Sequence, residues 1–256
     1  MMIQELCPVR NVVQVAQGVF VLTCISPRIA ASILPGQFVN IRIGTGTEPL
    51  LRRPFSVYRT NGCDIEIVFQ VVGQGTDMLR HLGEADRVDV LGPLGTPYRY
   101  ESPDFETAVL VAGGLGIAPL PILTSFLKRA GKPVVSFIGA RESALLVDLH
   151  LEQVSVATDD GTRGFHGTVV DLARSHLRSG HFAHPKIFSC GPTRMLASTA
   201  RLAKEFGIPC EVSLEGPMGC GFGICQGCPV ELLAGERKYA LMCKEGPVFD
   251  ASTILM

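Results

Sequence analysis

Met218-Gly219-Cys220-Gly221-Phe222-Gly223-Ile224-Cys225-Gln226-Gly227-Cys228, followed by Cys243, sets four cysteines in the order C-x4-C-x2-C-x14-C. The chain has nine cysteines, so this short stretch gathers nearly half of them. Thiolates are soft ligands, suited to iron–sulfur clusters or zinc. Glycines at 219, 221, 223 and 227 interleave the cysteines. They allow tight wrapping and a backbone whose N–H groups face sulfur.

The x4-then-x2 spacing is the plant-type arrangement for a [2Fe-2S] cluster, held by Cys220, Cys225, Cys228 and Cys243. Zinc is the alternative, and a disulfide pair another. Zinc sites usually show two C-x2-C knuckles or mixed Cys/His sets, and no histidine lies between 185 and 256. The other cysteines, at 7, 24, 63, 190 and 210, follow no framework spacing, which points to a reducing compartment. A cluster implies single-electron transfer. The rest of the chain has to supply the source and destination of those electrons.

The segment 210–256 is too small for a core of its own and has to lean on what precedes it. Upstream, residues 100–209 read as alternating strands and helices. Ala108–Ala112, Pro133–Gly139, Val154–Thr158 and Lys186–Cys190 are strands; Leu120–Ala130 and about 193–206 are helices. That alternation predicts a parallel sheet covered on both faces. Residues 1–99 read as short β-strands with turns at Pro35-Gly36 and Asn61-Gly62, among them Gln37–Ile43 and Asp64–Val72. Strands at this spacing predict a small antiparallel barrel. One short helix, Thr76–Leu82, follows Gly73-Gln74-Gly75. The expectation is a multidomain α/β and β protein: barrel 1–99, α/β domain 100–209 and cysteine module 210–256.

Composition excludes several classes. Hydrophobic residues make up 46% of the chain, enough for a sizeable core, and 23 basic against 24 acidic residues leave no basic run for nucleic acid. Apolar stretches fall short of the roughly 18 residues a membrane span needs. The opening residues lack a basic-then-apolar export pattern, so a cytoplasmic location is expected. Six histidines (81, 150, 166, 176, 181, 184) form no ligand set; His181 and His184 come nearest to one.

Two further motifs carry chemistry. Arg52-Arg53-Pro54-Phe55-Ser56-Val57 puts an Arg and a Ser three apart, on opposite strand faces unless Pro54 bends the strand. With that bend both can reach one phosphate, and Phe55 offers a stacking ring. A surface Arg pair beside a core Phe is the plainer reading. Gly113-Gly114-Leu115-Gly116-Ile117-Ala118-Pro119 joins a strand to a helix, where glycines let backbone approach a pyrophosphate. An ordinary strand–helix turn is the alternative. Ala157-Thr158-Asp159-Asp160-Gly161 follows another strand end, where ligands of parallel sheets collect. A carboxylate there could accept from a ribose hydroxyl and would repel a 2′-phosphate, favouring NAD over NADP.

Arg53-Pro54-Phe55-Ser56, the Gly75-Thr76 turn and the α/β half, in that order, resemble the ferredoxin-NADP reductase superfamily. The resemblance implies FAD held by Arg53, Pro54, Phe55 and Ser56, by the strand end Gln70-Val71-Val72 and by Gly75 and Thr76. It also implies NAD at Gly113, Gly114, Gly116, Asp159, Asp160 and Cys190-Gly191-Pro192. With the C-terminal cysteines and the ending Cys243-Lys244-Glu245-Gly246-Pro247-Val248-Phe249, the chain is similar over nearly its whole length to the electron-transfer subunits of class B, NAD-dependent dihydroorotate dehydrogenases. That family implies a partner: an FMN-containing catalytic subunit that oxidises dihydroorotate, in a heterotetramer of two plus two. Electrons would cross from FMN through [2Fe-2S] and FAD to NAD⁺, in pyrimidine biosynthesis. The run Glu215-Gly216-Pro217-Met218-Gly219 departs from the family, which has an Arg near Pro217. Alternatives are a related reductase subunit serving a hydrogenase or a ferredoxin, or a zinc-stabilised nucleotide-binding module without redox activity.

Overall fold

The computed structural model describes every residue of the chain except Thr45, Thr47 and His181. His181, one half of the suggested histidine pair, therefore lies outside the described residues. Its companion His184 is exposed, with Nε2 3.9 Å from Glu106.

Seven strands make the first sheet: β1 (Ile3–Ala16), β2 (Val19–Ile25), β3 (Phe38–Arg42), β4 (Arg53–Ser56), β5 (Arg59–Asn61), β6 (Asp64–Gln70) and β7 (Arg87–Leu94). They run in the order β4-β3-β7-β1-β2-β6-β5, and every pairing is antiparallel. The sheet curls on itself: the Phe55 ring on β4 meets the Phe69 ring on β6 edge-on at 6.2 Å. Apolar side chains on one face of each strand, such as Leu22, Ile41, Ile65, Ile67 and Val90, fill the interior. The expected barrel is therefore present. Its short helices are α1 (Pro27–Ala30) and α2 (Gln74–Arg80).

The second sheet holds β8 (Thr107–Gly113), β9 (Val134–Ala140), β10 (Val154–Thr158), β11 (Phe165–His166), β12 (Pro185–Cys190) and β13 (Cys210–Ser213). These six are mutually parallel, in the order β11-β10-β9-β8-β12-β13. β8 is apolar from Ala108 onward because both of its faces are covered. Val109 and Val111 face α4 (Val169–Arg178) and α5 (Thr193–Phe206), while Ala108, Leu110 and Ala112 face α3 (Leu120–Arg129). An ion cluster closes one end of this sheet: buried Glu211 accepts from buried Lys186 Nζ at 3.0 Å and from Nε of the exposed Arg99 at 2.6 Å.

The last segment adds the hairpin β14 (Pro229–Glu231) and β15 (Tyr239–Leu241), then β16 (Val248–Asp250). β16 pairs antiparallel with β13, so the chain's end completes the second sheet. The sheet thus runs past the expected border at 209/210 on both counts: Cys210 opens β13, and β16 returns to it. The cysteine module has no separate core; Cys228, Val230, Ala240 and Cys243 share one with Val212 and Leu196 of the α/β half. The barrel is tied in as well. Thr96 N–H donates to the carbonyl of Gly246 at 2.6 Å, and its hydroxyl to that of Glu245 at 2.9 Å. Hence Glu245–Val248 lies between barrel, sheet and module.

Candidate flavin, nucleotide and cluster sites

On β4, Arg53–Ser56 pair residue for residue with β3, from Ile41 opposite Arg53 to Phe38 opposite Ser56. Pro54 lies on the sheet's edge strand, where its missing N–H costs no ladder bond. The ladder continues through Pro54, so the bend that would bring Arg53 and Ser56 to one face is not seen. The two arginines of this motif differ in what they touch. Arg52 is committed internally: Nη2 meets Asp89 Oδ2 at 2.7 Å, and Nη1 donates to the carbonyls of Asp89 and Asn40. Arg53 donates to the Leu51 carbonyl at 2.7 Å and has no acidic partner among the described residues. Its guanidinium is the one available to an anion.

The turn before α2 closes on the same place. A Cβ on Gly75 would lie 3.7 Å from Arg53 Nε. The Thr76 hydroxyl accepts from the N–H groups of Val72 and Gly73 and donates to the Gly73 carbonyl, so it shapes the turn instead of reaching outward. Val71 N–H bonds to the Gly18 carbonyl, and the Val72 side chain is 79% exposed. Arg53 and Gly75 thus converge, the Phe55 ring lies against Phe69, and Gln70 lines a second cavity.

That cavity, of about 630 Å³, opens where β8 and β12 lie side by side. Strands are added outward from β8 in one direction and from β12 in the other, and ligands of open α/β sheets bind at such a reversal. Gly113, Gly114, Gly116, Asp159 and Pro192 line it, together with Gln70 from the barrel. Gly116 is fixed by close packing: a Cβ there would come 2.1 Å from the Cys190 carbonyl oxygen. Only glycine lets the first turn press against Cys190-Gly191.

The two aspartates separate. Asp159 lines the cavity. Asp160 Oδ1 accepts from the N–H and hydroxyl of Thr162, which hold its carboxyl below the usual range. Cys190 does not line the cavity; it lies buried behind it and donates to Glu215 Oε1, which does. Burial pushes its thiol well up. Arg141, Arg194, Ser198 and Glu215 also line the cavity and were not anticipated. Arg194 and Ser198 lie one helical turn apart on α5, a spacing visible in sequence; Glu215 follows β13 and offered no local signal.

The four cysteines fall into two pairs. Cys228 and Cys243 are buried, with sulfurs 3.3 Å apart. Cys225 N–H donates to Cys220 Sγ at 3.4 Å, and Cys225 is exposed. Burial pushes the Cys220 thiol up, but backbone donors from Cys225, Phe222 and Ile224 outweigh it and bring it to about 6. The loop therefore already directs N–H groups at a thiolate, as sulfur clusters require. A Cβ on Gly219 or Gly227 would lie 3.3 or 3.5 Å from Cys225 Sγ, so both glycines make room at that sulfur. Four thiols in two pairs, one of them with a backbone N–H donor, supply the ligand set a two-iron cluster takes. Beside them Phe222 and Ile224 are exposed, Ile224 by 77%.

The profile of the iron-sulfur cluster binding domain of dihydroorotate dehydrogenase B matches residues 215–255. Curated relatives named "Dihydroorotate dehydrogenase B (NAD(+)), electron transfer subunit" include one from Desulforamulus reducens, 38% identical over 249 residues and covering 94% of each chain. Another, from Geobacillus thermodenitrificans, is 34% identical over 255 residues, covering 94% of this chain and 95% of its own. Among solved structures, that of the NADH-dependent reduced ferredoxin-NADP oxidoreductase superposes with a TM-score of 0.84 at 31% identity. It covers 98% of this chain and 90% of its own.

Proposed function

The chain belongs to the family of dihydroorotate dehydrogenase B (NAD(+)) electron transfer subunits, and we propose that it relays electrons from the FMN of a dihydroorotate-oxidising catalytic subunit to NAD⁺. It is a subunit of an oxidoreductase that works with a catalytic partner; the expected assembly is two of each. No described helix is long and apolar enough to cross a membrane. Bound FAD would supply both hydride exchange with NAD(H) and single-electron exchange with a [2Fe-2S] cluster.

The chain's own residues bind and orient these groups. Arg53 offers charge to the FAD pyrophosphate, with Gly75 leaving room beside it. Phe55 gives an aromatic surface on the barrel, and Pro54, Ser56, Gln70, Val71, Val72 and Thr76 frame the flavin. Gly113, Gly114 and Gly116 admit the dinucleotide, Arg141 and Arg194 offset its phosphates, and Asp159 accepts from a ribose hydroxyl. Pro192 walls the nicotinamide end with Cys190 and Gly191 behind it, and Asp160 shapes the neighbouring turn. Cys220, Cys225, Cys228 and Cys243 hold the cluster, with Phe222 and Ile224 at the face offered to the partner. In this division residues 1–99 carry FAD, 100–209 NAD and 210–256 the cluster.

The supporting observation is that the paired cysteines, the Arg53 strand and the cavity at β8 and β12 meet in one chain. Copurification from the native host tests the reading. It predicts flavin and iron bands that bleach with NADH, and an FMN-containing partner that oxidises dihydroorotate. A colourless protein holding zinc would sink it. The likeness to the ferredoxin-NADP oxidoreductase supports a second reading, in which the partner handles ferredoxin. Absence of dihydroorotate oxidation by the copurified partner would select it.

A further inference from the structure

Asn40 on β3 is buried and belongs to none of the sites above. Its Nδ2 donates to the carbonyl of Cys220 at 2.9 Å, across 180 residues of sequence. Its Oδ1 is buried with no hydrogen-bond partner among the described residues. A buried amide with its acceptor unmet stabilises the fold less than an apolar side chain of similar shape. Packing alone therefore does not account for an asparagine here.

Its neighbours indicate another role. Asn40 stands opposite Pro54 in the β3–β4 ladder, flanked by Arg53 opposite Ile41 and Phe55 opposite Val39. Arg52 Nη1 donates to the Asn40 carbonyl, steadying the strand. From the other side Gly221 presses on the amide: a Cβ there would lie 2.0 Å from Asn40 Nδ2, and its φ is +83°. Gly221 alone meets both demands, positive φ and contact with no side chain between. One amide thus joins the strand pair that carries Arg53 and Phe55 to the backbone of the first cluster cysteine.

We propose that Asn40 is a positioning residue that fixes Cys220 against the flavin-bearing strands and so sets the rate of electron exchange between flavin and cluster. This rests on the assignment of FAD and [2Fe-2S] to the chain. Groups that hold a ligating residue from behind orient it and tune the metal centre, and their loss typically costs roughly 10- to 100-fold. Hydrogen bonding around a cluster likewise sets its potential.

The test uses the full chain with Asn40→Leu and Asn40→Asp; the second keeps the shape and removes the donor. Iron and flavin content, the electron paramagnetic resonance spectrum of the reduced cluster, and stopped-flow reduction by NADH are measured. Wild-type iron and flavin are expected in both variants, with flavin reduction unchanged within about twofold. Cluster reduction is expected to slow by roughly tenfold or more, with displaced g-values. Wild-type cluster reduction with an unaltered spectrum overturns the proposal. Loss of iron from both variants also overturns it, since the contact would then serve assembly. A wild-type chain lacking iron or flavin overturns the underlying assignment, and the control reports this separately.

Discussion

The Cys190 thiol at the end of β12 donates at 3.8 Å to Oε1 of Glu215, which follows the neighbouring parallel strand β13 and lines the cavity beside β8 and β12. Glu215 is exposed at the cavity wall. Partial desolvation by the surrounding protein still raises its carboxyl above the usual range, while the thiol's hydrogen bond pulls the other way. A raised folded-state value means the neutral form is favoured on folding. The resulting stability is present below the ordinary carboxylate value and is lost as pH rises through the raised one. Glu215→Gln is permanently neutral and escapes this loss. Its melting temperature should match wild type near pH 4 and exceed it near pH 7. A constant offset at both pH values would contradict the assignment.

Cys228 and Cys243 form the buried thiol pair. Cys228→Ser should leave a chain that purifies with flavin but without iron or acid-labile sulfide. NADH reduction of ferricyanide, which draws on the flavin, should stay within about twofold of wild type. Full iron content in this variant would count against the four-cysteine assignment.

Asp159 and Asp160 are adjacent in sequence and differ in role. Asp159→Ser removes a carboxylate from the cavity wall and should raise NADPH use relative to NADH by roughly tenfold in kcat/KM, equivalent to about 1.4 kcal/mol. Asp160→Asn should leave that ratio unchanged, because its carboxyl is engaged by Thr162. Steady-state kinetics with both nucleotides decides between them.

Gly116→Ala places a methyl group against the Cys190 carbonyl. Overpacking of this kind costs about 1–3 kcal/mol. Urea denaturation should show that loss, and the KM for NADH should rise because two cavity walls separate. An unchanged midpoint and KM would mean the contact relaxes freely.

Glu211 balances Lys186, and both are buried. Burial lowers the Lys186 ammonium and the carboxylate opposes that effect. Glu211→Gln leaves the cation without its counter-charge and should destabilise the chain by about 3–5 kcal/mol, read from the same urea titration.

Much of this architecture could be read from local pattern. The cysteine spacing, the apolar β8 and the strand–helix alternation each depend on residues close in sequence. The boundaries of β10 and α5 follow from the same signals. β1 is harder to read: the strand runs from Ile3 to Ala16 through Pro8, Arg10 and Asn11, where alternation breaks. β16 is three residues long, and its identity comes from pairing with β13. Glu215, Arg141 and Asn40 have meaning only through neighbours far along the chain, so no window around them carried a signal. Thr76 and Asp160 show the converse. Each was legible as a polar group at a turn, but the turn itself uses that polarity.

The passage of Glu245–Val248 between barrel, sheet and cysteine hairpin has a consequence for anyone who would rebuild the molecule. Soluble ferredoxins are natural cartridges, and it is tempting to exchange this cluster for another of different potential. The hairpin alone is not a separable cartridge here. Its trailing strand completes the neighbouring sheet, and its return loop receives two hydrogen bonds from Thr96. A transplant has to carry β13, β16 and the Thr96 loop with it, or the graft opens seams in two other domains.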